Sequence, residues 1–207
     1  MANVRHLNRP PIVEAVIDVQ FAGAGLNLAQ LRTLAATYVV EGRRSEDIFH
    51  LEAAIGPKAG APGEVLVKNG GPTFKGVSLS TSDEGKVLQI HSDRVTISQV
   101  RSYVAWEGLV GDAMDALARF LDAAAPLSVR RLGVRFINRI VLPGNYTDFA
   151  DVLERAPQPL PGLDGARIVH FLRRHVVEGL SADFKANLTI GTALPEGDEA
   201  VLSLPVL

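Results

Sequence analysis

The side chains with the most chemical capacity stand on two alternating runs. Arg131, Arg135 and Arg139 recur at every fourth residue within Val129 to Leu142. On an extended strand this spacing puts the three guanidinium groups on one face, about 13 Å between neighbours. A guanidinium is a planar fork of N–H donors that matches carboxylate and phosphate oxygens, so the strip suits a small anion or a nucleic-acid backbone. Glu14 and Asp18 repeat the same spacing within Pro11 to Phe21. If the two strands lie side by side, acid stands opposite base. The charges then stabilise strand register, by a few tenths of a kcal/mol per pair. Cross-strand ion pairing is the expectation and a ligand-facing role the alternative, with Arg131, Arg135, Arg139, Glu14, Asp18 and Asn138 as its candidate residues. Glu14 and Asp18 are again about 13 Å apart along one strand, too far to share a proton. Asn138 falls on the apolar face of its strand. A buried amide must be satisfied, so a bond to the N-terminal segment or a helix end is expected, with a ligand contact as the alternative.

Other chemistry is excluded or unsupported by residue type. There is no cysteine, hence no disulfide, thiolate metal site or cysteine nucleophile. The histidines are His6, His50, His91, His170 and His175. His170 and His175 point to opposite faces of a strand, and neither an HExxH pattern nor a calcium-loop spacing occurs. Gly76-Val77-Ser78-Leu79-Ser80 lacks the second glycine of a nucleophile elbow, and Gly23-Ala24-Gly25 lacks the third glycine of a dinucleotide loop. No catalytic residue, metal or cofactor is therefore expected. An enzyme assembled only in the fold, from Arg135, Glu14 and His91 acting on an anionic small molecule, stays open. A net charge of -2 disfavours nucleic acid, whose affinity comes from many cations. With 207 residues, 47% hydrophobic and 21% charged, the chain reads as globular rather than disordered. No apolar run approaches the ~20 residues that span a bilayer, and a cytoplasmic protein is expected.

Two kinds of period organise the elements that would position these residues. Pro11 to Phe21 alternates, with Val13, Ala15, Ile17, Val19 and Phe21 on one face, and reads as a half-buried strand. Asn27 with Gln30 forms a capping-box signature for a helix whose stripe is Leu28, Leu31, Ala35, Tyr38 and Val39, ending at Gly42. Within 43–63, Ile48 to Ile55 fits either a short strand or a helix. Val65 to Lys68, Phe74 to Ser80, Val87 to His91 and Val95 to Ser98 are separated by turn residues and read as a four-strand meander. Tyr103 to Asp122 has a helical period, with Trp106, Leu109, Val110, Ala113, Leu117, Phe120 and Leu121 inward and Tyr103 and Trp106 as core anchors. The arginine strand follows, with Leu132, Val134, Phe136, Ile140 and Leu142 on its other face. Then come a short helix at Asp148 to Arg155 with Phe149, Val152 and Leu153 inward, and strands near Arg167 to Glu178, Asp183 to Ile190 and Ala200 to Leu204.

The order strand, helix, strands, helix begins again after Pro126. It predicts a single α+β domain of two pseudo-repeats, 1–126 and 127–207. The expected architecture is a curved antiparallel sheet with helices on one face. The duplicated β-α-β4-α order resembles the saddle of TATA-box-binding proteins, a likeness of fold order that does not carry function. The second repeat stops at Ser203-Leu204-Pro205-Val206-Leu207 without a closing helix. Truncation or cover by a partner is the expectation, and self-association is plausible from an open sheet face or edge.

Three stretches carry a resemblance. They are Asn8-Arg9-Pro10-Pro11-Ile12-Val13-Glu14-Ala15-Val16-Ile17, Ser102-Tyr103-Val104-Ala105-Trp106-Glu107 and Arg131-Leu132-Gly133-Val134-Arg135-Phe136-Ile137-Asn138-Arg139-Ile140. Their order and spacing resemble a sporadically distributed family of uncharacterised bacterial proteins, over nearly the whole chain. The family has no established activity and so implies no catalytic residues. Its patchy distribution implies an accessory gene. Together these readings predict a non-enzymatic ligand-binding or protein-interaction module that uses a charged sheet face, with a homo-oligomer, a protein partner or a small anion as its partners.

Overall fold

Period-two alternation becomes strand where the chain first shows it. In a computed structural model, β1 spans Ile12–Ala22, with Ala15, Ile17, Val19 and Phe21 buried on one face. The structure describes residues 10–23, 25–51, 53–57, 65–69, 71–101, 103–124, 128–141, 149–158, 161–162, 168, 170–179, 183–193 and 201–206. Helix α1, Leu28–Val40, begins at the capping box: the Gln30 N–H donates to Asn27 Oδ1 and the Asn27 N–H to Gln30 Oε1, each at 3.0 Å. Two of the orphan donors at the helix start are thereby satisfied. Gly42, at φ +90°, turns the chain out of the helix in a conformation that favours glycine. The buried stripe of α1 is Leu31, Leu34, Ala35 and Tyr38. Leu28 and Val39, expected inward, are exposed, because Leu34 takes the place on the stripe assigned to them.

The segment left open between strand and helix is two strands, β2 at Arg44–His50 and β3 at Ala53–Pro57. β4, Val65–Asn69, pairs antiparallel with β3 as a separate hairpin, so it is not the first strand of the meander. β3 takes it, although the strand that starts at Thr73 lies nearer along the chain. The outer place of the meander goes to β2, which pairs with β5 at Thr73–Ser80, followed by β6 at Lys86–His91 and β7 at Arg94–Val100. Helix α2, Trp106–Ala123, buries Leu109, Ala113, Ala116 and Phe120. Trp106 and Leu121, expected inward, are 41% and 45% exposed, because the buried stripe is narrower than the apolar one.

The remaining elements are β8 at Ser128–Val141, a 3-10 turn at Phe149–Asp151, β9 at Leu172–Glu178, β10 at Lys185–Ala193 and β11 at Val201–Val206. Among the described residues, the helix expected near Asp148 to Arg155 is this single turn. Phe149 is buried and packs against Ile140, Leu153, Ala156, Ile168 and Phe171, whereas Val152, expected inward, is exposed.

Contacts divide the chain into two compact units. The helix-bearing unit comprises 17–100 and 105–132; the other comprises 1–16, 101–104 and 133–207. The helix-bearing unit is a six-strand antiparallel sheet, in the order β2-β5-β6-β7-β1-β8, plus the β3-β4 hairpin. Helices α1 and α2 touch each other and pack on one face of it, over Val77, Leu79, Leu88, Ile90, Val95 and Ile97. Phe120 of α2 stacks on Phe21 with ring centroids 5.2 Å apart. This is an α+β fold whose other sheet face is left to polar residues. In the other unit the strand order is β1-β8-β11-β10-β9, with β8 to β9 joined by antiparallel ladders.

Candidate binding face

β1 and β8 are neighbours in the strand order, and the expected acid–base pairs form. In the helix-bearing unit Arg131 Nη1 lies 3.5 Å from Asp18 Oδ2. In the other unit Arg135 Nη2 lies 3.5 Å from each oxygen of Glu14. The pairs follow from the matched four-residue spacing on the two strands. At 3.5 Å they are long, and Arg131 and Arg135 keep 60% and 42% of their side chains in solvent. Pairs of this kind contribute at most about 1 kcal/mol.

Asp18 is the better-held carboxylate. Its Oδ1 accepts from Thr96 Oγ1 at 2.8 Å and its Oδ2 from Gln20 Nε2 at 3.1 Å. A second arginine, Arg94 on β7, stands 3.8 Å away and is 44% exposed. Thr96 and Arg94 reach Asp18 because they fall on the polar phase of β7, opposite buried Val95 and Ile97. Two guanidinium groups therefore share one carboxylate whose oxygens neutral donors already serve. Within this trio there is one positive charge in excess, on a solvent-facing sheet surface. Arg94 was not singled out from the sequence. In the sequence it reads as a turn residue before the strand at Val95 to Ser98, and only the strand order puts β7 beside β1.

The other candidates are placed as follows. Arg135 Nε is buried and has no hydrogen-bond partner among the described residues, although the outer part of the group is exposed. Arg139 donates its backbone N–H to the Pro11 carbonyl at 2.8 Å, which anchors the start of β1. Asn138 is half-buried, opposite Leu204 in the β8–β11 ladder, on the strand phase of Phe136 and Ile140. The N-terminal segment expected to bond it lies outside the described residues, as does His6. Tyr103, expected as a core anchor, is half-buried and meets Phe136 edge-to-face at 5.8 Å.

A second polar cluster, under α2, was invisible in the sequence. Lys86 Nζ pairs with Asp112 Oδ2 at 2.8 Å, and the same oxygen accepts from Nε2 of buried Gln99 at 3.0 Å. Nearby, the Arg119 guanidinium lies 4.7 Å over the Tyr38 ring, with Arg43 at 5.5 Å, while Glu41 and Asp115 hold Arg119 at 2.7 and 3.2 Å. Burial pushes the Tyr38 phenol above its usual range, and the hydroxyl has no partner among the described residues. The cavity there, lined by Tyr38, Arg43, Lys86, Asp112 and Asp115 among others, measures about 30 Å³. That holds a water or two and no organic ligand. The cluster's three acids and three bases balance. It reads as packing of α2 onto the sheet.

His91 also has a structural use. In the β2–β5 ladder the partners jump from Ile48↔Gly76 to Phe49↔Phe74, which leaves Lys75 as a bulge. The Lys75 carbonyl, off the ladder, lies 3.1 Å from His91 Nδ1 and accepts its proton. Among the described residues no group of three or more His, Asp or Glu side chains has metal-binding geometry. Among them too, no helix is long and apolar enough to cross a membrane.

No family model matches the chain, and no curated protein matches it.

Proposed function

We propose that this protein is a non-enzymatic binding module that takes an anionic group, a carboxylate or phosphate, on the polar face of the β7–β1–β8 sheet. The observation that carries this reading is the arrangement at Asp18. Thr96 and Gln20 already serve its oxygens, so the exposed forks of Arg94 and Arg131 keep donors for an incoming anion. The anion is a small molecule or an acidic segment of a partner protein. Asp18 keeps the two arginines on the sheet surface. Binding without chemistry is the simpler use of such a surface.

The same reading includes the duplicated saddle. The β5-β6-β7 meander returns beside β1, and β11-β10-β9 runs back from beside β8, which suits two copies of one topology. We also take the three sequence motifs as marks of membership in the bacterial family they resemble.

Inorganic phosphate is the first probe. A ligand that binds only the folded state raises the melting temperature by mass action. Phosphate also stabilises proteins by exclusion from their surface, a gain common to all variants. Wild type should therefore gain more on phosphate addition at constant ionic strength than Arg131→Gln, and more than Arg94→Gln. Equal gains in all three proteins would reject the site.

A further inference from the structure

We infer that the outer edge of β9 pairs with the β9 edge of a second copy, in one defined antiparallel register. This does not rest on the anion-binding reading, and either can fail alone. The two ends of the strand orders differ in how they are guarded. β2 carries Arg44, Glu46 and Asp47 and is kinked against β5 by the bulge at Lys75. Both edges carry charge, β9 with Arg173, Arg174 and Glu178, but only β2 has a bulge, a usual means of stopping edge-to-edge pairing. β9 has no proline, and its ladder to β10 is unbroken from Leu172↔Gly191 to Glu178↔Lys185. Leu172, Val176 and Val177 on this strand are 78%, 52% and 41% exposed.

The hydrogen-bond phase decides which residues face outward. The Thr192 N–H donates to the Phe171 carbonyl at 3.1 Å, and these residues are the next partners in the β9–β10 register. Residues 173, 175 and 177 therefore turn their backbone groups toward β10. Leu172, Arg174, Val176 and Glu178 turn theirs outward. No hydrogen bond among the described residues reaches those outward backbone groups.

In a two-fold pair, outward residues must meet outward residues. One register that satisfies this puts Val176 opposite Val176 of the second copy, and then Arg174 stands opposite Glu178 at both ends. Shifting the centre to His175 sets Arg174 against Val176 and Glu178 against Leu172, and both ion pairs are lost. The Val176-centred register makes about six backbone hydrogen bonds. It places Glu178, already paired with Lys185 of its own chain, beside a second cation. The strand is self-complementary in backbone phase, in charge and in its central apolar residue.

The test is sedimentation equilibrium on the full chain at tens of micromolar, with circular dichroism to check folding. Wild type should be a dimer. Arg174→Glu sets acid against acid and Glu178→Arg sets base against base, so each variant alone should dissociate at least tenfold more readily. Mixing the two monomeric variants restores both ion pairs across one interface and should give a heterodimer. A monomeric wild type, single variants that remain dimeric, or a mixture that stays monomeric would each overturn the inference.

Discussion

Asp18 sets the character of the charged face. A carboxylate that accepts from a hydroxyl at 2.8 Å and an amide at 3.1 Å has less need of the guanidinium groups beside it. The contrast within the helix-bearing unit is Arg119, whose guanidinium is bound by Glu41 and Asp115 and stacked on Tyr38. The first arrangement leaves donors to solvent; the second uses them to pack a helix. The pairing of Glu14 with Arg135 and of Asp18 with Arg131 was legible in the sequence because both strands repeat charge at the same interval. Arg94, Tyr38 and the His91–Lys75 bond were not legible. Each depends on elements brought together only by the strand order or by a bulge that leaves no mark in residue type. His91 gives a prediction at this scale. Burial, with a smaller contribution from Arg94, holds its imidazole below the usual value of 6.5, against the opposing effect of the Lys75 carbonyl. Below pH 6.5 the unfolded chain takes up a proton more readily than the fold does. The contribution of neutral His91 to stability is therefore present above pH 6.5 and is lost as pH falls through that value toward the lower folded one. Urea unfolding at pH 7.5 and 5.5 should show the loss, and His91→Gln, whose amide can still donate to Lys75, should lose less. An identical pH dependence in the variant would contradict this role.

At the scale of elements, period and punctuation carried most of the information. β1, β5, β6, β7 and β8 lie where alternation puts them, and α1 starts at its capping box. Gln30 at that box also donates Nε2 to the Ala123 carbonyl at 3.1 Å, which ties the start of α1 to the end of α2. Asn27→Ala should cost about 1 kcal/mol in chemical denaturation, the usual loss for a capping side chain. A change under a few tenths would mean that the neighbouring helix, not the cap, holds this end. Two causes separate the structure from the sequence pattern at the remaining elements. β4 was placed in the meander because adjacency in sequence does not reveal which of two strands wins a partner. Leu28, Val39, Trp106 and Leu121 were placed inside because an apolar stripe wider than the contact surface leaves its margins exposed.

For the whole molecule, the helices of one unit bury one sheet face and leave the opposite face to charge. The α+β class was legible from element order. Residue type alone could not tell an ion-pair ladder from a binding surface, because the same arginines serve both. The difference lies in how many donors each arginine has left once its neighbours are served. The arginine side chains can report this directly. In a heteronuclear NMR titration with inorganic phosphate, the Nε–Hε signals of Arg94 and Arg131 should move together and saturate, while that of Arg119 stays in place. No movement, or a common drift of all three without saturation, would contradict the account.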